Sequence, residues 1–155
     1  IVGSDVLEID SEGRSLFYKK MDYSHQVMEN KIIKKCPFNH PSVMFRTKVF
    51  SENTLRYKNE LINTQDYYLW VDALKLGLKF GNINKPLLKF RVDKNFHSRR
   101  GLKKALNDFN ARCYAFNILK CYSFSNLVYL FLLILLRLSP SFIKKTAYRF
   151  IRGFI

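Results

Sequence analysis

Apolar and polar residues alternate from the first position of the chain. Val2, Val6, Leu7 and Ile9 predict a strand over residues 1–10. Asp10–Ser11–Glu12–Gly13 carries turn chemistry, and Ser15 to Lys20 reads as the return strand of a hairpin. From Ser24 to Lys35 the spacing becomes helical, with Val27, Met28, Ile32 and Ile33 on one face. Pro37 and Pro41 bracket a polar turn, Asn39–His40–Pro41–Ser42, after which Val43 to Phe45 predicts a short buried strand. Gln65 to Leu76 predicts a helix with Leu69, Trp70, Ala73 and Leu74 inward and Gly77 at its C-cap. Phe80 to Ile83 and Leu87 to Val92 read as two further strands.

The pattern then changes. Leu102 to Cys121 predicts a helix, and Leu127 to Leu136 is an unbroken apolar run closed by Arg137. A bilayer span needs roughly 20 apolar residues, so this run is too short to cross. Beyond Pro140, Ile143, Ala147, Phe150, Ile151 and Phe154 fall on one helical face, with Lys144, Lys145, Arg149 and Arg152 on the other. That is the pattern of a basic amphipathic helix lying in a membrane interface. There are no internal repeats and no low-complexity tract.

Composition adds three constraints. With 155 residues and 48% hydrophobic content the chain can bury one sizeable core, which excludes simple disorder. The net charge of +15 is uneven. Residues 1–92 carry 15 basic and 10 acidic side chains, whereas residues 93–155 carry 12 and 2, so the C-terminal region suits an anionic surface. Cys36, Cys113 and Cys121 are odd in number and form no C-x-x-C, which points to a reducing compartment rather than a disulfide frame or zinc site.

Three ordered segments, Asn39–His40–Pro41–Ser42–Val43–Met44–Phe45–Arg46, Gln65–Asp66–Tyr67–Tyr68–Leu69–Trp70 and Pro86–Leu87–Leu88–Lys89–Phe90–Arg91, resemble the acceptor half of a family 2 glycosyltransferase of the GT-A fold. The resemblance covers residues 1–98. It implies an α/β fold, the C-terminal part of a Rossmann-like GT-A domain, followed over residues 99–155 by a helical, basic, membrane-associating tail. The chain contains neither a D-x-D nor a glycine-rich phosphate loop. It therefore reads as the C-terminal portion of a longer enzyme, beginning just after the donor site.

The resemblance further implies inverting transfer of a sugar from a nucleotide-sugar donor to a glycan or lipid-linked acceptor, in bacterial cell-surface polysaccharide synthesis. Mg²⁺ or Mn²⁺ would neutralise the leaving diphosphate, with ligands mainly upstream of this chain and none assigned within it. Asp66 matches the family's base, which takes the proton of the attacking hydroxyl; an ordinary helix N-cap also explains an Asp there. Gln65 can hydrogen-bond a sugar or stand solvated in the first turn. Asn39 and His40 line the acceptor pocket or bond the backbone of their own turn. Arg46 can grip a phosphate or carboxylate or be a solvated strand end. Tyr67 stacks on a sugar ring or packs, and Tyr68 stands where relatives often carry Asp. Arg91–Val92–Asp93 replaces the family's R-x-H with Asp93, and His97 lies four residues on. Arg99, Arg100, Lys103 and Lys104 form a basic cluster for a diphosphate or lipid headgroup, or a solvated helix start. The expected location is the cytoplasmic face of a membrane, bound peripherally.

Two other classes fit part of this pattern. A basic chain with 15% aromatic residues suits nucleic-acid binding, but no RRM, KH, zinc-finger or clear helix-turn-helix pattern is present, so no nucleic-acid partner is expected. A purely membrane-associated structural domain is the third reading.

Overall fold

The computed structural model describes residues 1–52, 55–58, 60–61, 64–92 and 102–139. Within them the chain is a mixed α/β domain with the elements β1 (Val2–Ile9), β2 (Ser15–Lys19), α1 (His25–Asn30), α2 (Lys48–Ser51), α3 (Gln65–Lys75), β3 (Gly81–Arg91), α4 (Leu102–Leu119) and α5 (Phe124–Leu138). A single 3₁₀ turn, His40–Ser42, lies between α1 and α2.

The three strands form one sheet in the order β2-β1-β3. β1 pairs antiparallel with β2 through the predicted turn and parallel with β3. A parallel neighbour demands a long crossover, and α1, α2 and α3 lie in it. As the central strand, β1 buries Ser4, Asp5 and Glu8 as well as Val6 and Ile9, so its polar positions do not face solvent as simple alternation would have them. Gly3 sits where a side chain has no room: an added Cβ would fall 2.4 Å from the Asn82 Oδ1 and 2.7 Å from the Phe38 ring. Asn82 has little freedom to yield, because its Nδ2 donates to the carbonyls of Asp22 (2.7 Å) and Pro37 (2.9 Å).

Three local expectations need correction. The two predicted strands around Pro86 are one strand, because the proline, which has no N–H to donate, sits where the pairing with Ser4, Asp5 and Val6 slips. The predicted helix over residues 24–35 ends at Asn30 and continues as tight turns, with Ile32 N–H bonded to Glu29 and Lys34 N–H to Lys31. Ile32 and Ile33 are buried from that turn, while Val27 is exposed. Val43–Phe45 is not a buried strand: Met44 makes one bridge with Val2 and is exposed, while Val43 and Phe45 pack against the core.

The core lies between α1, α3 and α4. Met28, Ile32, Ile33 and Phe38 meet Tyr67, Leu69, Trp70 and Ala73 of α3, and α4 contributes Ala111, Ala115 and Phe116 to the same cluster. α3 ends as its sequence dictates: Gly77 takes φ 73°, its N–H bonds the Leu74 carbonyl and Leu78 N–H bonds that of Ala73. This is a Schellman ending, open to glycine because it carries no Cβ.

Asp22 fastens the turn after α1. Its carboxylate lies 2.8 Å from Lys31 Nζ and 3.0 Å from Lys35 Nζ. Burial alone would raise its pKa, but the hydrogen bonds and charges of the two lysines outweigh it and hold the group below its ordinary value of 3.8. A depressed folded-state pKa contributes stability above the unfolded pKa, which is lost as pH falls through the folded one. Urea midpoints should therefore drop below about pH 4, and Asp22→Asn should flatten that part of the profile. An unchanged acid slope in the variant would refute the assignment.

Candidate functional site

The site is assembled from three pieces of chain that the aromatic core holds together. Trp70, fully buried one turn beyond Asp66, is the hub. Its ring lies 4.8 Å from Phe38, 5.7 Å from His40 and 5.7 Å from Phe45, stacked on the last. The polar turn around His40 is thereby seated against the first turns of α3. Ser42 fastens the turn: its hydroxyl donates to the Asn39 carbonyl (2.8 Å) and accepts from Ser4 N–H of β1 (3.2 Å).

Asp66 is half-buried in the first turn of α3. It is not the N-cap; Thr64 holds that position and makes no side-chain cap bond. Among the described residues, the Asp66 Oδ1 accepts a local bond, from Tyr67 N–H at 2.9 Å. A carboxylate at a helix N-terminus sits favourably in the field of the helix dipole, and this one retains lone pairs for a ligand. Gln65 beside it is exposed.

The third piece is the segment carrying Tyr57, which the sequence reading passed over. Its ring meets His40 edge-on at 6.0 Å and stacks on Phe50 at 6.4 Å. It is 38% exposed, so part of the ring is open to a ligand. Burial first, and then the charge of the Asp66 carboxylate, push its phenol up. The signal that would have found it is weak: one tyrosine in a polar loop, without periodicity.

Lys58 anchors that segment. Its Nζ donates to the Tyr114 hydroxyl at 2.6 Å and lies 3.5 Å from the Asp72 carboxylate, and Tyr114 donates to Asp72 in turn. Tyr68 packs on Tyr114 with ring centroids 4.6 Å apart and planes tilted by 37°, so it faces α4.

The remaining sequence candidates divide. His40 is exposed and belongs to the cluster. The Asn39 side chain makes no cap bond to its own turn; its Oδ1 accepts from Lys19 Nζ at 2.6 Å and its Nδ2 rests against Met21 Sδ. Arg46 is exposed near Ile1, where its charge is felt. Tyr67 is buried, its hydroxyl donates to the Ile32 carbonyl at 2.9 Å, and Arg112 covers its ring at 3.9 Å. Its ring is occupied by packing rather than presented for sugar stacking. Arg91 ties the hairpin turn down, donating to the carbonyls of Asp10 (2.8 Å) and Ser11 (2.7 Å). Asp93, His97, Arg99 and Arg100 lie outside the described residues, as do the side chains of Lys103 and Lys104 and the predicted helix around residues 143–154. Among the described residues no group of three or more His, Cys, Asp or Glu comes together to hold a metal ion. Cys36 lies near Asp66; burial first and then that carboxylate push its thiol up to about 11, which leaves little thiolate at neutral pH.

Comparison with known proteins yields no matching protein-family model and no matching solved structure. Among curated proteins, the chain is 30% identical over 149 residues to an uncharacterized glycosyltransferase of Methanocaldococcus jannaschii, covering 88% of this chain and 49% of that protein. It is 31% identical over 99 residues to the amylovoran biosynthesis glycosyltransferase AmsE of Erwinia amylovora, covering 63% of this chain and 36% of the relative. It is 35% identical over 79 residues to the UDP-Gal:alpha-D-GlcNAc-diphosphoundecaprenol beta-1,3-galactosyltransferase of Escherichia coli, covering 50% of this chain and 28% of the relative. The chain is thus similar to glycosyltransferases along most of its length, and it spans about half or less of the length of the curated relatives it matches.

Proposed function

We propose that this chain forms the acceptor side of a family 2 glycosyltransferase of the GT-A type. The enzyme transfers a sugar from a nucleotide-sugar to a glycan or lipid-linked acceptor during cell-surface polysaccharide synthesis, working peripherally at the cytoplasmic face of a membrane. The seating of His40 against Tyr57 and against Trp70, which lies one turn beyond Asp66 on α3, carries the reading, and the similarity to glycosyltransferases supports it.

In this proposal Asp66 takes the proton of the acceptor hydroxyl as its oxygen bonds to the anomeric carbon of the donor. The bond from that carbon to the nucleoside diphosphate breaks on the opposite face, which inverts the centre. Gln65 and His40 hydrogen-bond the acceptor, and the open part of the Tyr57 ring packs against its sugar. A divalent cation, Mg²⁺ or Mn²⁺, supplies charge stabilisation to the leaving diphosphate in such enzymes. Among the described residues no group of three or more His, Cys, Asp or Glu comes together as a ligand set for it.

The test is transfer of radiolabel from UDP- and GDP-sugars, with Mn²⁺, to a bacterial lipid extract by the full-length protein. Label in the lipid or glycan fraction is expected; none from any donor overturns the proposal. Within that assay Tyr57→Ala should raise KM for the acceptor roughly tenfold, the scale of one aromatic contact, with a smaller change in kcat. Tyr57→Phe should retain parental values. Equal KM for Tyr57→Ala and parent would remove Tyr57 from the site.

A further inference from the structure

Helix α5 buries one face and leaves the other uncovered. Asn126 is buried, its Nδ2 bonding the Cys121 carbonyl at 3.0 Å, and the Tyr129 hydroxyl donates to the Lys34 carbonyl at 2.9 Å. These contacts fix the rotation of the helix. On the opposite side Phe124, Leu127, Val128, Phe131, Leu132 and Leu135 are all exposed, Phe124 at 84% and Phe131 at 60%. Their spacing of three and four residues makes one continuous apolar stripe. Isolated exposed apolar residues are ordinary, but a contiguous stripe of large ones marks an interaction surface.

We propose that α5 lies flat in the interface of an anionic membrane with this stripe inserted. Charge and aromatic placement favour a lipid surface over a protein partner or a second copy, and the length of the helix sets how it lies. The helix has 15 residues, about 22 Å at the rise of an α-helix, against the ~30 Å of a bilayer core. Among the described residues no helix is long and apolar enough to cross. It therefore inserts along its length rather than through the bilayer.

The charge along this part of the chain has one sign. From residue 109 to the end of α5 the sequence holds the basic residues Arg112, Lys120 and Arg137 and no acidic one. Lys34 is held against the helix by a 2.6 Å bond from its Nζ to the Ser125 hydroxyl. Two copies meeting along α5 would bring like charges such as Lys34 together, while anionic headgroups neutralise them. At the N-terminal end, Tyr122 and Phe124 are exposed beside the stripe, where aromatic rings suit the boundary between headgroups and acyl chains.

The sequence pattern assigned membrane attachment to the whole C-terminal tail, apolar run and basic segment together; the structure narrows it to one face of α5. The inference rests on the peripheral membrane location in the proposed function, but its test requires no turnover and so is separate from sugar transfer. The purified chain is mixed with phosphatidylcholine vesicles, or with the same vesicles containing phosphatidylglycerol, and sedimented at low and high salt. The parent should pellet with the anionic vesicles and be partly released by salt, because the charge contribution is screened. The double variant Leu127→Gln/Phe131→Gln alters only exposed positions and should keep its circular dichroism and melting temperature while losing roughly tenfold or more of its vesicle affinity. Absence of parental binding to either vesicle overturns the proposal, as does binding undiminished in a folded double variant. A parent that is dimeric without lipid and ignores vesicles, while the variant is monomeric, overturns it in favour of a second copy as the occupant.

Discussion

Asp66→Asn is expected to reduce sugar transfer by about 10²–10⁴-fold, the range a positioned general base contributes. The fold should survive the change. Among the described residues the carboxylate accepts one bond, from Tyr67 N–H at 2.9 Å, and an asparagine oxygen accepts there equally well. The loss of a negative charge from the first turn of α3 costs at most about 1 kcal/mol. Turnover and stability should therefore separate: kcat falls, while the melting temperature and affinity for the nucleotide-sugar stay near parental values. A variant retaining parental kcat would refute the catalytic assignment. A variant that lost stability but kept kcat would show that the carboxylate serves the helix terminus alone.

The largest effect on stability is expected from Asp5→Ala. Asp5 is fully buried in the central strand, and three donors converge on its carboxylate. They are Tyr18 Oη at 2.9 Å, Tyr23 Oη at 3.0 Å and Met21 N–H at 2.8 Å. Hydrogen bonds to a charged group contribute about 1.5–3 kcal/mol each. Met21 N–H is buried and would have no replacement, whereas the two phenols are partly exposed and can return to water. The net loss should be about 3–5 kcal/mol, within the range of a broken buried network and a large share of a typical domain's 5–15 kcal/mol. Denaturant midpoints will read it. Tyr18→Phe and Tyr23→Phe should each cost less than Asp5→Ala, because each removes one donor and leaves the acceptor satisfied by the others. A loss under about 1 kcal/mol for Asp5→Ala would mean that the segment after β2 holds its place without this carboxylate.

The two residues were unequally visible in the sequence. Asp66 stood out because it shares a motif with aromatics at helical spacing. Asp5 looked like an ordinary polar position of a strand, since alternation places such residues on a solvent face. Its burial follows from β1 being the middle strand, covered from both edges, and that is a property of pairing with residues far along the chain. Tyr57 went unread for the same reason. Nothing local distinguishes it from Tyr67, yet one is half open beside His40 and the other is locked under Arg112 with its hydroxyl on Ile32.

The sequence by itself determined the elements whose causes are local: the hairpin turn at Asp10–Gly13, the inward face of α3 and its glycine ending, and the turn bracketed by Pro37 and Pro41. Periodicity and backbone permissiveness act over a few residues, so a few residues suffice to read them. Tertiary structure alone decided the rest: which strand is central, that α4 supplies Ala111, Ala115 and Phe116 to the same core as Trp70, which tyrosine stands partly open beside His40, and that α5 leaves an apolar stripe uncovered. Each of these depends on contacts between segments remote in sequence. Burial is a property of the assembled surface, and the order of residues encodes it only through the fold.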